Sequence, residues 1–144
     1  MVKKRKINLK KKLWGIFSKV IRMRNADENG YVKCISCEKV DHYKNLDCGH
    51  YLPKSLGLSI YFEETNVAPQ CTHCNRFRHG HQPKYALALI EKYGPEILEE
   101  LDKKQRNPRQ IKSWEYEELI EKYKKELLNL EARQSDGGII YGAR

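Results

Sequence analysis

Two pairs of cysteines, Cys34-x2-Cys37 and Cys71-x2-Cys74, stand 33 residues apart in a chain of 144. Thiolates spaced this way can surround one tetrahedral zinc at about 2.3 Å, and a site closed by four of them is structural rather than catalytic. The fifth cysteine, Cys48, has no companion at that spacing and reads as a small buried residue. An odd number of cysteines argues against a disulfide framework, which leaves metal as the explanation for the pairs.

Between and after the knuckles the chain reads Asp47-Cys48-Gly49-His50-Tyr51-Leu52-Pro53, then Asn66-Val67-Ala68-Pro69-Gln70-Cys71, then Cys74-Asn75. This order resembles the HNH, or ββα-metal, nuclease family. In that family a His-x-x-Pro segment, an asparagine five residues before the third knuckle cysteine, and a His or Asn after the fourth occur together. The resemblance implies catalytic places for His50, Asn66 and Asn75, with the Asn66 carboxamide holding the orientation of the imidazole by hydrogen-bonding either the loop or the other ring nitrogen.

Phosphodiester hydrolysis needs a base to deprotonate water, and a neutral imidazole with an ordinary pKa of about 6.5 suits that task near neutral pH. His50 is that base on this reading. The scissile phosphate and the departing oxygen need a hard divalent cation, Mg²⁺ or Mn²⁺, with positions open to substrate. Asn75 is expected to supply one ligand, and His79, four residues on, a second from the same helical face. The family usually carries an acid directly before the histidine, where this chain has Gly49; Asp47 is the nearest carboxylate that could replace it.

A wider set of residues extends the likeness: Leu13-Trp14-x-x-Phe17-Ser18, Ile21-Arg22-x-Arg24, Gly49-His50-Tyr51, Gln70-Cys71-x-x-Cys74-Asn75-Arg76-Phe77 and His79-Gly80. Together these resemble the phage NinG/Rap recombination-nuclease family over about residues 9–94. That resemblance implies an endonuclease cutting branched DNA, such as four-way junctions and D-loops, in the cytoplasm of an infected bacterium.

The elements that must position these residues follow from charge and periodicity. The chain has 28 Lys+Arg against 19 Asp+Glu, a net +9. Residues 1–24 hold ten Lys or Arg and no acid, whereas residues 79–144 hold twelve of each, so the excess is N-terminal. Lys3, Lys4, Arg5, Lys6, Lys10, Lys11 and Lys12 are therefore the expected polyanion contacts, joined by Arg76 and Arg78 beside the second knuckle. From Leu9 to Arg24, apolar residues recur at helical spacing. The amphipathic helix this predicts either docks its apolar face on the core with its lysines solvated, or offers the lysines to a polyanion. A membrane-surface role is the weaker third option. The longest apolar run, Tyr85 to Ile90, is far too short to cross a bilayer, and no secretory cleavage site follows the N-terminal basic cluster.

Downstream, a short strand is expected near Tyr31–Val32 and an extended segment over Leu46–Leu52. A long loop follows from Pro53 to Asn66, then a short helix over Cys74–His79. Helices are expected over 83–93, 95–105 and about 113–133, with residues 134–144 as a loose tail. The last helix carries Tyr116, Ile120, Tyr123, Leu127 and Leu130 on one seam, which must bury itself against the chain's own 83–105 helices or against a second copy in a homodimer.

The fold class expected is α+β: a zinc-braced ββα-metal core over 25–82, a basic N-terminal segment over 1–24, a helical region over 83–133 and the tail. The function expected is metal-dependent DNA cleavage, with a structural Zn²⁺, a catalytic Mg²⁺ or Mn²⁺, and branched or duplex DNA as partner. A catalytically silent zinc-knuckle module binding DNA or RNA would share the charge and the cysteines. A general nicking or homing-type HNH nuclease would share the catalytic residues as well.

Overall fold

Leu13, Phe17, Val20 and Ile21 fall on one stripe of the first helix, and all four are buried. The computed structural model describes residues 2–53 and 57–142. In it this helix, α1, runs from Val2 to Met23. The basic N-terminal residues are thus continuous with the amphipathic helix rather than a separate arm. A four-residue spacing along α1 also aligns Lys10, Trp14, Ser18 and Arg22 on a second, more polar edge.

After a turn, β1 (Tyr31–Lys33) and β2 (Val40–His42) form an antiparallel hairpin, pairing Val32 with Asp41. A second antiparallel pair joins β3 (Leu46–His50) to β4 (Val67–Cys71), with Cys48 opposite Pro69 and His50 opposite Val67. Neither β2 nor β4 is foreseen from the sequence. Val40-Asp-His has one apolar residue, and Pro69 argues against a strand from sequence, yet it pairs opposite Cys48 with its carbonyl turned away from β3 to accept from the Ile35 amide. β3 stops at His50, short of the expected Leu52. The expected loop after it contains a helical turn, α2 (Leu58–Tyr61), and a 3₁₀ turn at Glu64–Asn66.

The second knuckle leads into a π-helical turn over His73–Phe77 and then α3 (Gln82–Tyr93), α4 (Ile97–Arg106) and α5 (Ser113–Gly142). The expected tail from Gln134 is helical as far as Gly142; residues 143–144 lie outside the described residues.

Two hydrophobic clusters organise these elements. In the larger, α5 lies along α1, and Phe17 meets the edges of Phe62 and Tyr123 at centroid distances of 5.4 and 5.1 Å. Tyr116, Ile120, Tyr123 and Leu130 are buried in this cluster. The seam offered to a second copy is therefore already filled by α1, which is also not the 83–105 region expected as its internal partner. The smaller cluster packs α3 and α4, through Tyr85, Leu89, Ile97 and Leu101, against Ala68 of β4. Arg24 ties the end of α1 to Glu126 of α5 and to Glu64 before β4, at 2.8 and 3.1 Å. Burial alone would raise the Glu64 carboxyl; Arg24 outweighs it and holds the group below its ordinary range.

Candidate functional site

The four knuckle cysteines meet at one point, although the nearer pair belongs to the β1–β2 hairpin and the farther pair to the end of β4 and the π-helical turn. Their sulfur atoms all lie within 4.8 Å of one another. Cys37 Sγ and Cys71 Sγ are 3.8 Å apart, close to the edge of about 3.8 Å that tetrahedral zinc–thiolate bonds of about 2.3 Å require. The hairpin turn closes with the Glu38 amide on the Cys34 carbonyl, and the Ile35 amide reaches across to the Pro69 carbonyl. Burial would raise the Cys34 thiol, but backbone amides led by that of Cys37 lower it below its ordinary value. Burial and the neighbouring thiols push Cys74 well up. Thiols packed this closely ionise together only beside a cation, so the donor set is one that can hold zinc.

Gln70, fully buried beside this cluster, donates to Ser36 Oγ and to the Gly80 carbonyl, at 2.9 and 2.6 Å. Its Oε1 turns toward Gly49, where an added β-carbon would stand 2.0 Å from it. No side chain fits at position 49 without displacing Gln70. This packing keeps position 49 a glycine, where the resemblance to ββα-metal nucleases would lead one to expect an acid.

His50 closes β3. Its Nε2 lies 2.8 Å from the Tyr61 carbonyl oxygen, which can only accept, so Nε2 carries the proton and Nδ1 is the basic nitrogen of the neutral ring. Trp14 stacks on the imidazole at 5.2 Å with planes 21° apart, and Tyr61 meets it more edge-on at 5.2 Å. Lys10, one turn before Trp14, holds its ammonium 4.3 Å from the Tyr61 ring centroid. The sequence does not assign roles to Trp14 or Tyr61. The four-residue stripe Lys10, Trp14, Ser18, Arg22 is the signal that could have indicated Trp14.

The Asn66 side chain spends its hydrogen bonds on the loop rather than on the imidazole. It is fully buried and clamps the preceding loop: Oδ1 accepts from the Leu52 amide at 2.8 Å, and Nδ2 donates to the Leu52 and Ile60 carbonyls at 3.1 Å each. The orienting bond to the ring comes from Tyr61, adjacent to one of those clamped carbonyls. Asn66 is therefore a positioning residue. Replacing it with Ala should leave three buried backbone groups unpaired and cost about 2–5 kcal/mol of stability. A thermal melt showing no loss would contradict this role, and Asn66→Asp, which keeps only the acceptor, should fall between.

Asp47 is also not an open metal ligand. Arg76 binds both its oxygens at 3.0 Å, and Asn75 Nδ2 donates to Oδ2 at 2.9 Å. Because a carboxylate accepts, the contact fixes the Asn75 amide with Oδ1 turned outward as an acceptor. Asn75, His50 and His79 line one cavity of about 300 Å³, together with Cys48, Tyr51, Pro53 and Gln82.

His79 reaches that cavity by a different route from the helical face expected. The π-helical turn ends at Phe77, and His79, Gly80 and His81 have φ of 49°, 82° and 48°. Left-handed backbone at two non-glycine residues is costly and persists only where contacts hold it. Here the Gly80 amide binds the Cys74 carbonyl at 2.9 Å, the His81 amide binds the Arg78 carbonyl at 2.8 Å, and His81 Nδ1 lies 3.4 Å from Cys74 Sγ. The four-cysteine frame thus aims His79.

A neighbouring cavity of about 450 Å³ shares Cys48 and Asn75 with the first and is lined by Trp14, Ser18, Arg22, Lys44 and Arg76. Lys3, Lys4, Arg5, Lys11 and Lys12 are exposed along α1, and Lys6 is half-buried. Arg5 forms an ion pair with Glu117 of α5. Among the described residues, no helix is long and apolar enough to cross a membrane.

The knuckles, the His50 segment and the α1 stripe fall within the region where this chain is similar to known proteins. It is 29% identical over 119 residues to the protein ninG of Escherichia phage 933W, covering 81% of this chain and 55% of that relative. The ninG proteins of Escherichia phage lambda and Salmonella phage P22 match at the same identity and extent, with 54% of each covered. The chain spans about half the length of the curated relatives it matches. No solved structure matches it. The family model described as bacteriophage lambda NinG protein matches residues 1–133, from the first basic turn of α1 through most of α5, and the chain accordingly belongs to the NinG family.

Proposed function

We propose that this chain is a metal-dependent DNA endonuclease of the ββα-metal (HNH) type, acting on branched recombination intermediates. The observation that carries the reading is the convergence of His50, Asn75 and His79 on one open cavity, with the proton of His50 assigned to Nε2 by the Tyr61 carbonyl. A basic Nδ1 backed by a fixed hydrogen bond is what a water-activating imidazole needs. In this mechanism His50 Nδ1 takes the proton from the attacking water, and Trp14 keeps the ring from rotating. Asn75 Oδ1 and His79 would hold a Mg²⁺ or Mn²⁺ ion, whose chemistry is to neutralise charge on the phosphate and the departing oxygen. Asp47 keeps Asn75 oriented, and Arg22 and Lys44 line the adjoining cavity with positive charge suited to the flanking phosphates, beside the ion pair of Arg76 with Asp47.

Purified protein incubated with labelled four-way junction, linear duplex and single strand, with Mg²⁺ or Mn²⁺ and with chelator, tests the proposal. Metal-dependent cutting of the junction in preference to the duplex is expected. Equal cutting of both would make it a general nicking nuclease. Binding without cutting would make it a zinc-knuckle DNA-binding module, the reading that the bidentate capture of Asp47 by Arg76 would favour.

The exposed lysines of α1 should supply salt-sensitive affinity. Replacing Lys3, Lys4, Lys11 and Lys12 with Gln leaves the buried stripe of α1 intact. For every phosphate that one of these lysines neutralises, its replacement should flatten the log–log salt dependence on duplex DNA by about 0.9. An unchanged slope would show that these side chains are only solvated.

A further inference from the structure

Phe77 is the most exposed large apolar side chain among the described residues, at 73%. It closes the π-helical turn whose Cys74 points inward to the sulfur cluster, so the same turn that builds the zinc site turns a phenyl ring out to solvent. His73 lies roughly parallel to the ring at 6.4 Å, with planes 28° apart. The two rings line a shallow depression with Arg78, His81, Pro83 and Lys84, which meets the His50 cavity at their common residue Gln82. The segment that forms it carries charge of one sign. From residue 65 to residue 90 the chain contains Arg76, Arg78 and Lys84 and no Asp or Glu. Neither Arg78 nor Lys84 forms an ion pair among the described residues. An apolar protein partner would leave these two cations uncompensated; a nucleic-acid strand brings an aromatic base for the ring and a phosphate for each cation.

We propose that Phe77, backed by His73 and flanked by Arg78 and Lys84, is a stacking platform for an unpaired DNA base beside the His50 cavity. This deepens the nuclease reading and rests on it for its location. A fully paired duplex keeps its bases stacked inside and has no base to offer the ring. A branch point, gap or single strand does, so the platform supplies selection for branched DNA that phosphate contacts by themselves cannot.

The test is a binding measurement on the full chain in buffer without Mg²⁺ or Mn²⁺, using labelled single strand, linear duplex and four-way junction. Phe77→Ala is expected to weaken binding to single strand and junction by about tenfold or more while changing duplex binding less than about twofold. Its salt slope should match that of the wild type. Arg78→Ala with Lys84→Ala should instead flatten the slope on single strands by about 0.7 for each phosphate no longer neutralised. Phe77→Trp should retain affinity and show indole quenching on binding single strand beyond that of the wild type, a readout that survives if the Ala variant fails to fold. Single-strand affinity unchanged in Phe77→Ala, equal loss on duplex and single strand, or no added quenching in Phe77→Trp would each overturn the platform. A protein-docking role would give the first of these. Cleavage assayed in parallel keeps the two readings apart. Loss of single-strand affinity in Phe77→Ala together with a wild type that cuts nothing would sink the nuclease and leave the platform standing. Cutting with no effect of Phe77 would do the reverse.

Discussion

His50→Ala should lower phosphodiester cleavage by about 10²–10⁴-fold, the usual cost of losing a general base, while DNA affinity stays within a few-fold of wild type. The two should separate because the substitution removes no Lys or Arg. The imidazole lies between Trp14 and the Tyr61 carbonyl at the end of β3. Single-turnover rates measured with saturating protein, beside binding measured without the divalent cation, would test both statements. Near-normal turnover in the variant would exclude His50 as the base, and lost binding would mean that it supports the interface instead.

Cys37→Ser should lower zinc content and thermal stability together. Cys37 is itself exposed, so its side chain contributes little packing and any large loss must come through the metal. The cation would cross-link the β1–β2 hairpin to the end of β4 and the π-helical turn, segments otherwise joined by the hydrogen bonds of Ile35 to Pro69 and Gln70 to Ser36 and by apolar packing. A tightly held ion contributes stability by binding the folded state alone, which for a chain of this size amounts to a fall in Tm on the order of 10 °C or more when it is lost. Chelation of the wild type should reproduce the shift. Cleavage should fall as well, because Asn75 and His79 hang from the same turn. Metal analysis beside a melting curve decides it: a Cys37→Ser protein with full zinc and an unchanged Tm would remove the cysteines from the metal site.

Spacing alone was enough to pair the knuckles, because metal geometry restricts thiolates two residues apart in a way that shows in sequence. That His50, Asn75 and His79 would share one site was expected from the resemblance to ββα-metal nucleases, and all three line one cavity. The roles of Asn66 and Asp47 were not legible. An amide can hold a ring or a loop with the same donors, and only the positions of Leu52 and Ile60 decide for the loop. Asp47 could have faced a metal until Arg76, folded back by the π-helical turn, took both its oxygens. Likewise the stripe on α5 announced that it would be buried, as periodicity does. That its partner is α1, more than a hundred residues earlier in the chain, is a matter of packing between distant segments, which no local pattern encodes.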